Sequence, residues 1–140
     1  MSKVVIIDYG AGNVQSVKFA LERLGIAPVL SKDHEVIASA DKIIFPGVGE
    51  ARSAMKAINS NGLQDLIPAL KQPVLGVCLG MQLLCAHSVE RNTDGIGVFP
   101  LTVEKMTGDI NVIRRSHSSF RKIRSRPPSL GVCETRRDRP

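Results

Sequence analysis

The sequence of 140 residues contains no tryptophan, and aromatic residues make up only 4% of it. This scarcity argues against a surface on which nucleic-acid bases stack. No apolar run approaches the roughly 20 residues that a membrane span needs. The first residues lead into a short strand-like run rather than a signal peptide. We therefore expect a cytoplasmic protein without membrane contact.

Cysteine is scarce as well. The three cysteines are odd in number and include no CxxC pair, so the sequence predicts neither a disulfide framework nor a metal site of the zinc type: Cys78, Cys85 and Cys133. A hydrophobic content of 43% is typical of a globular protein. The expected class is a reduced protein with one folded domain.

Charge is distributed very unevenly along the chain. Residues 1–110 carry 10 basic and 11 acidic side chains, whereas residues 111–140 carry 9 basic and 2 acidic ones, and the net charge of the whole chain is +6. The second segment has no sustained hydrophobic period, so we predict that it is a basic, disordered tail. An unrelated tail and translation in a wrong reading frame after about residue 108 would both produce such a change.

Apolar runs and helical patterns alternate four times in residues 1–110. This pattern predicts an open, mostly parallel, doubly wound α/β sheet with helices on both faces. The predicted strands are 4–7, 28–30, 43–45 and 74–77, with helices between them and two further short strands at 95–99 and 101–106. Ligands of such folds bind at the carboxyl ends of the strands, where three glycine-containing loops fall.

The segment Gly76-Val77-Cys78-Leu79-Gly80 has the form of a nucleophile elbow. A sharp turn from strand to helix would expose Cys78, the helix N-terminus would favour a thiolate, and the Leu79 N–H would be free to bind an oxyanion. A buried structural cysteine is the alternative interpretation. The position of the motif between an apolar strand and an amphipathic helix favours the nucleophile.

A cysteine nucleophile needs a base, and no histidine of the chain is a convincing one. We expect the helix after Cys78 to continue through Cys85, as a core residue, and His87. His87 would then lie about 13 Å along the helix, too far to reach the sulfur. His34 is interpreted as a loop residue, and His117 falls in the tail.

Two further features belong to the same edge of the predicted sheet. Glycines in Pro46-Gly47-Val48-Gly49 leave backbone N–H groups available as a second oxyanion donor, although the segment is equally compatible with a plain tight turn. Gln82 lies one helical turn after Cys78, on the same face, where a substrate contact is expected.

These segments together resemble the class I (triad-type) glutamine amidotransferases, and within that class the glutaminase subunits of imidazole glycerol phosphate synthase. The resemblance rests on Asp8-Tyr9-Gly10 through Asn13, on Pro46–Gly49 and on Gly76–Leu84, in the same order and spacing. It implies hydrolysis of glutamine through a Cys78 thioester, and transfer of ammonia to a (β/α)8 cyclase partner in histidine biosynthesis. It implies no cofactor and no metal.

The resemblance also assigns roles to individual residues. Backbone N–H groups of Leu79 and Val48 would form the oxyanion hole. Glutamine would be held by Gly49, Gln82 and Glu90. The loop containing Gly10 and Asn13 would face the cyclase.

The chain departs from the family after Met106, because it has no His-Pro-Glu motif to supply the catalytic histidine and glutamate. The fold is therefore expected to be incomplete at its C-terminus and the chain inactive. Two other hypotheses stay open: a non-catalytic or redox-thiol module of the same fold, and nucleic-acid binding through the tail. The tail has one aromatic residue, Phe120, so nucleic-acid binding ranks last.

Overall fold

The computed structural model describes residues 2–10, 13–105 and 121–125. Strands and helices follow one another in the order β1 Val4–Ile7, α1 Val14–Arg23, β2 Val29–Ser31, α2 His34–Ala38, β3 Lys42–Phe45, α3 Ala51–Ser60, α4 Leu63–Ala69, β4 Val74–Gly76, α5 Leu79–Leu83, β5 Cys85–Ser88, β6 Thr93–Asp94, β7 Phe99–Lys105 and β8 Arg121–Ser125. No helix in the described part of the chain is long and apolar enough to cross a bilayer.

The first sheet has four parallel strands in the order β2-β1-β3-β4. Its central strand β1 is buried along its whole length, as the continuous apolar run predicted. One face packs on α1 through Val14, Val17 and Leu21, and the other face packs on α3 and α4. This arrangement confirms the predicted parallel sheet with helices on both faces. Parallel strands are joined by crossover helices, and these helices bury the two faces of the sheet.

The second sheet has the order β6-β5-β7-β8 and mixes parallel and antiparallel pairs. Helix α5 joins the two sheets, because it follows β4 directly and leads into β5. The Ile96 N–H donates to the Leu83 carbonyl at 2.7 Å, and the Phe99 N–H donates to the Leu84 carbonyl at 2.9 Å. These bonds fix the start of β7 against the end of α5.

Two predicted elements in this region are wrong. The helix after Cys78 ends at Leu83, and Cys85 and His87 lie on strand β5 instead. Their backbone groups bond across to β6 and β7, and Gly95 packs directly against the Cys85 carbonyl, an approach that only glycine allows. The strand predicted at 95–99 is also wrong, since β6 precedes it and β7 begins at Phe99.

The predicted disorder of the tail is wrong for five residues. Arg121–Ser125 forms β8, which pairs antiparallel with β7 over five residue pairs. An open strand edge offers unpaired backbone N–H and C=O groups, and pairing with them depends little on the side chains. A sequence without a hydrophobic pattern can therefore pair there. The other residues of 111–140 lie outside the described part, and the domain boundary at 110 stays a prediction.

Candidate active site

Cys78 lies at the turn between β4 and α5, with its side chain exposed. Its backbone has φ 53° and ψ −120°, a left-handed conformation that costs a residue with a Cβ free energy. The turn lifts the sulfur out of the carboxyl end of the sheet. Cys78 therefore has the exposed, strained placement that the elbow motif predicted, and the buried structural interpretation does not describe it.

The turn requires glycine at both flanking positions of the motif, because the surroundings of each position leave no room for a side chain. A Cβ on Gly80 would press directly on the Phe45 carbonyl oxygen and lie 2.8 Å from the carbonyl carbon. A Cβ on Gly76 would lie 2.6 Å from the Met81 Cα. Helix α5 can therefore pack against the end of β3 only with glycine at both positions.

The loop Pro46–Gly49 follows β3 and lies beside the elbow. A Cβ on Gly47 would lie 2.7 Å from the Gly80 nitrogen, so glycine permits this close approach as well. Gly49 has φ +93°, and Val48 and Gly49 are exposed. Since β3 and β4 are parallel neighbours, their ends bring this loop to the nucleophile.

The two expected oxyanion donors do not point to one site in this conformation. The Leu79 N–H donates to the Gly47 carbonyl at 3.3 Å, so the prediction of an unpaired Leu79 N–H is wrong for this conformation. A trans peptide places its C=O and N–H on opposite sides. Because the Gly47 carbonyl faces the Leu79 N–H, the Val48 N–H of the same peptide faces away from it.

Gln82 is half-buried in the first turn of α5, and its N–H donates to the Cys78 carbonyl at 3.3 Å. Glu90 lies in the turn between β5 and β6, where its N–H donates to the Ser88 hydroxyl at 3.3 Å. The next two residues of this turn, Arg91 and Asn92, both have positive φ. Glu90 is thus presented by a sharply defined turn, and the substrate roles of Gln82, Glu90 and Gly49 stay predictions.

A charged contact that sequence analysis missed joins this turn to the loop after β3. Arg91 Nε lies 3.0 Å from Glu50 Oε1, and the Arg52 guanidinium donates to the Arg91 carbonyl at 2.5 Å. Glu50 and Arg52 stand at the start of α3, immediately after Gly49. Residues about 40 positions apart give no local pattern, so only the fold reveals this contact.

The loop between β1 and α1 also lies at this edge of the sheet, because it follows the carboxyl end of β1 and β1 is a parallel neighbour of β3. The Asn13 side chain accepts from the Ser16 N–H at 3.2 Å and caps α1, while Gly10 is exposed with φ +86°. An open cleft of about 410 Å³ lies near Gly10, between the ends of β1 and β2, and Cys78 does not line it. The predicted contact of Gly10 and Asn13 with a partner stays a prediction.

Tyr9 packs beneath this edge with 2% of its surface exposed and its ring 5.7 Å from that of Phe45. Burial raises the pKa of Tyr9 to about 12. Within the described part of the chain its hydroxyl has no hydrogen-bond partner. In the sequence, Tyr9 stands out only as part of the first loop motif.

The two described histidines are both engaged away from Cys78. His34 Nε2 lies 2.8 Å from the Asn61 carbonyl oxygen, and His87 Nδ1 lies 3.0 Å from Asp94 Oδ1. His117 and Cys133 lie outside the described residues. Cys85 is 1% exposed, which confirms it as a core residue, and burial raises the pKa of its thiol. The described ranges contain no group of three residues able to hold a metal ion.

Comparison with known proteins agrees with this geometry. The family model "Glutamine amidotransferase class-I" matches residues 5–129. A solved structure described as a crystal structure of glutamine amidotransferase has a TM-score of 0.65, covers 87% of this chain and 70% of its own, and shares the fold at 22% identity. The chain belongs to the class-I glutamine amidotransferase family.

Curated relatives narrow the similarity further. The chain is 50% identical over 121 residues to imidazole glycerol phosphate synthase subunit HisH of Bacteroides thetaiotaomicron, covering 86% of this chain and 62% of the relative. It is 50% identical over 105 residues to the subunit of that name from Escherichia coli K12, covering 74% and 54%. The chain thus spans little more than half the length of the curated relatives it matches.

Proposed function

We propose that this chain is a glutaminase subunit that hydrolyses glutamine to glutamate and ammonia. The observation that carries the proposal is Cys78, an exposed thiol held at φ 53° between two glycines that admit no side chain. A strained and exposed thiol has a chemical use, whereas a structural cysteine is buried at no such cost. The family model supports glutamine chemistry, and the name that the relatives bear supports its use for imidazole glycerol phosphate synthesis in histidine biosynthesis.

In the proposed reaction the Cys78 sulfur attacks the side-chain amide carbon of glutamine. The carbon–nitrogen bond breaks, ammonia leaves with the thiol proton, and a thioester forms. Water then attacks the thioester carbon and releases glutamate with the thiol restored. Gly49, Gln82 and Glu90 would hold the substrate near the sulfur.

The oxyanion of each tetrahedral intermediate would be bound by the Leu79 and Val48 N–H groups. In this structure the Leu79 N–H donates to the Gly47 carbonyl, and the Val48 N–H faces away from Leu79. Turnover would therefore require rotation of the Gly47–Val48 peptide, which frees one donor and redirects the other. The described conformation is a resting state of the loop.

The ammonia would pass to a cyclase subunit of (β/α)8 fold for the synthesis of imidazole glycerol phosphate. The relatives are named as subunits of that synthase, which supports a partner of this kind. Gly10 and Asn13, both exposed at the carboxyl edge of the sheet, would face it. We place the complex in the cytoplasm.

Turnover by this chain alone is expected to be low. The Cys78 thiol needs a base to take its proton, and the leaving nitrogen needs the conjugate acid of that base to become ammonia. Both described histidines are held by other groups. Rapid ammonia release from glutamine by the purified chain, lost in Cys78→Ala, would contradict this expectation and would still support the glutaminase assignment.

The proposal is tested by labelling with an electrophilic glutamine analogue, a diazoketone of the same length. We expect one label on Cys78, detected by peptide mass spectrometry, with protection by free glutamine. Cys78→Ala should abolish labelling, and the buried Cys85→Ala should retain it. Labelling that glutamine does not slow would favour the redox-thiol alternative, in which Cys78 is reactive but unselective.

A further inference from the structure

The Tyr9 hydroxyl is a buried donor without an acceptor in the described part of the molecule. A buried hydroxyl normally has a partner, because leaving it unpaired costs free energy. Burial raises the pKa of Tyr9 to about 12, so the group keeps its proton and remains a donor at neutral pH. The described conformation thus carries an unsatisfied donor in its core.

The position of this donor is informative. A Cβ built on Gly47 would lie 2.9 Å from the Tyr9 oxygen, so the hydroxyl is directly beneath the Gly47 backbone. The Gly80 nitrogen and the Leu79 Cβ lie on the same side of the Gly47 backbone and form a floor with the hydroxyl. They are 2.7 Å and 3.0 Å from the Cβ position built on Gly47. Since the Gly80 N–H already donates to the Val77 carbonyl, the hydroxyl is the donor of this floor that is left without an acceptor.

We propose that Tyr9 is a positioning residue for the loop Pro46–Gly49, and that its hydroxyl donates a hydrogen bond to the Gly47 carbonyl when that carbonyl turns away from the Leu79 N–H. The Leu79 N–H loses its partner in this rotation, and the Tyr9 hydroxyl gains one. The exchange lowers the free-energy cost of freeing the oxyanion donor. The inference rests on the proposed function only in assigning that donor to catalysis.

Tyr9→Phe removes the hydroxyl and keeps the ring beside Phe45. The resting loop loses an unsatisfied donor, so we expect the Tm to rise by about 4 °C. The rotated loop loses its hydrogen bond, so the Leu79 amide should exchange its hydrogen about tenfold more slowly. The Val77 amide, which donates to the Phe45 carbonyl at 3.0 Å, reports on the sheet and should change only with overall stability.

Hydrogen exchange of the full chain, followed by NMR, measures both amides in one sample. The ratio of Leu79 to Val77 protection is expected to rise in Tyr9→Phe. Phe45→Leu is the matched control, because it disturbs the packing of the Tyr9 ring and keeps the hydroxyl. It should lower the Tm and leave the ratio unchanged. An unchanged or lower ratio in Tyr9→Phe would overturn the proposal.

A second measurement connects the loop to chemistry. Labelling of Cys78 by the diazoketone analogue, whose ketone oxygen needs the oxyanion donors, should slow about tenfold in Tyr9→Phe. Alkylation by iodoacetamide, which develops no oxyanion, should keep its rate. Equal slowing by both reagents would overturn the assigned role. A wild-type chain that the analogue does not label would contradict the proposed function, whereas the exchange ratio would still decide the role of Tyr9.

Discussion

The two sheets of this protein are built from different kinds of sequence. Strands β1 and β3 are almost wholly apolar and buried, with helices on both faces. Strands β5 and β7 mix buried, half-buried and exposed residues, and Val103 is buried outside both described core clusters. The comparison indicates that the parallel sheet supplies the stability of the fold, while the second sheet depends on its attachment through α5.

The largest test of this comparison is a matched pair of glycine substitutions. Gly80→Ala places a methyl group against the Phe45 carbonyl of the first sheet, and we expect the free energy of unfolding to fall by about 3 kcal/mol. Gly95→Ala places one against the Cys85 carbonyl of the second sheet. It should loosen that sheet and leave the first folded. Urea unfolding measures the losses, and amide exchange of Val5 and His87 locates them.

Gln64→Ala, on the exposed face of α4, is the control and should change the free energy of unfolding by less than about 0.5 kcal/mol. If Gly95→Ala deprotected Val5 as strongly as Gly80→Ala does, the two sheets would form one cooperative unit. The distinction between a stabilising and a dependent sheet would then be lost.

The same contrast explains which elements the sequence could predict. Continuous β-branched runs such as Val4–Ile7 report burial on both faces, and their order defines a parallel sheet. Cys85–Ser88 has no period that distinguishes a strand from the end of a helix. Its conformation is decided by hydrogen bonds to β6 and β7, which come from later in the chain.

The candidate site divides in a similar way. The elbow at Cys78 could be predicted because its two glycines stand at fixed positions, two residues on either side of the cysteine. The paired state of the Leu79 N–H and the buried Tyr9 hydroxyl could not, since each depends on how Gly47 from another loop is turned. The Glu50–Arg91 contact is likewise invisible before folding.

A second, smaller test uses the same substitution in the central strand of each sheet. Val5 and Val103 are both 0% exposed. Val5→Ala should cost about 2 kcal/mol, because a large cluster surrounds the cavity, and Val103→Ala about 1 kcal/mol. Urea midpoints at constant m-value check the difference. Equal losses would show that the second sheet is as tightly packed as the first.

The smallest effect concerns the charged contact between the regions. Arg91 and Glu50 lie 3.0 Å apart without hydrogen-bond alignment, and the arginine side chain is 65% exposed. A double-mutant cycle with Glu50→Gln and Arg91→Gln should give a coupling below about 1 kcal/mol. High salt should reduce it.

The pair Lys18–Glu22 within α1, at 3.7 Å, is the matched control inside one element. Its coupling should be about 0.3–0.5 kcal/mol. A coupling for Glu50–Arg91 that salt does not change would indicate that the contact is a rigid joint between the two regions.

The backbone of Cys78 has a consequence for how such a protein evolves. Glycine adopts positive φ without strain, so a glycine at this turn would release on the order of 1–3 kcal/mol. Selection for stability alone would therefore remove the sulfur from this position. A lineage that keeps cysteine there is under continuing selection for its chemistry, and one relieved of that selection would lose the thiol early.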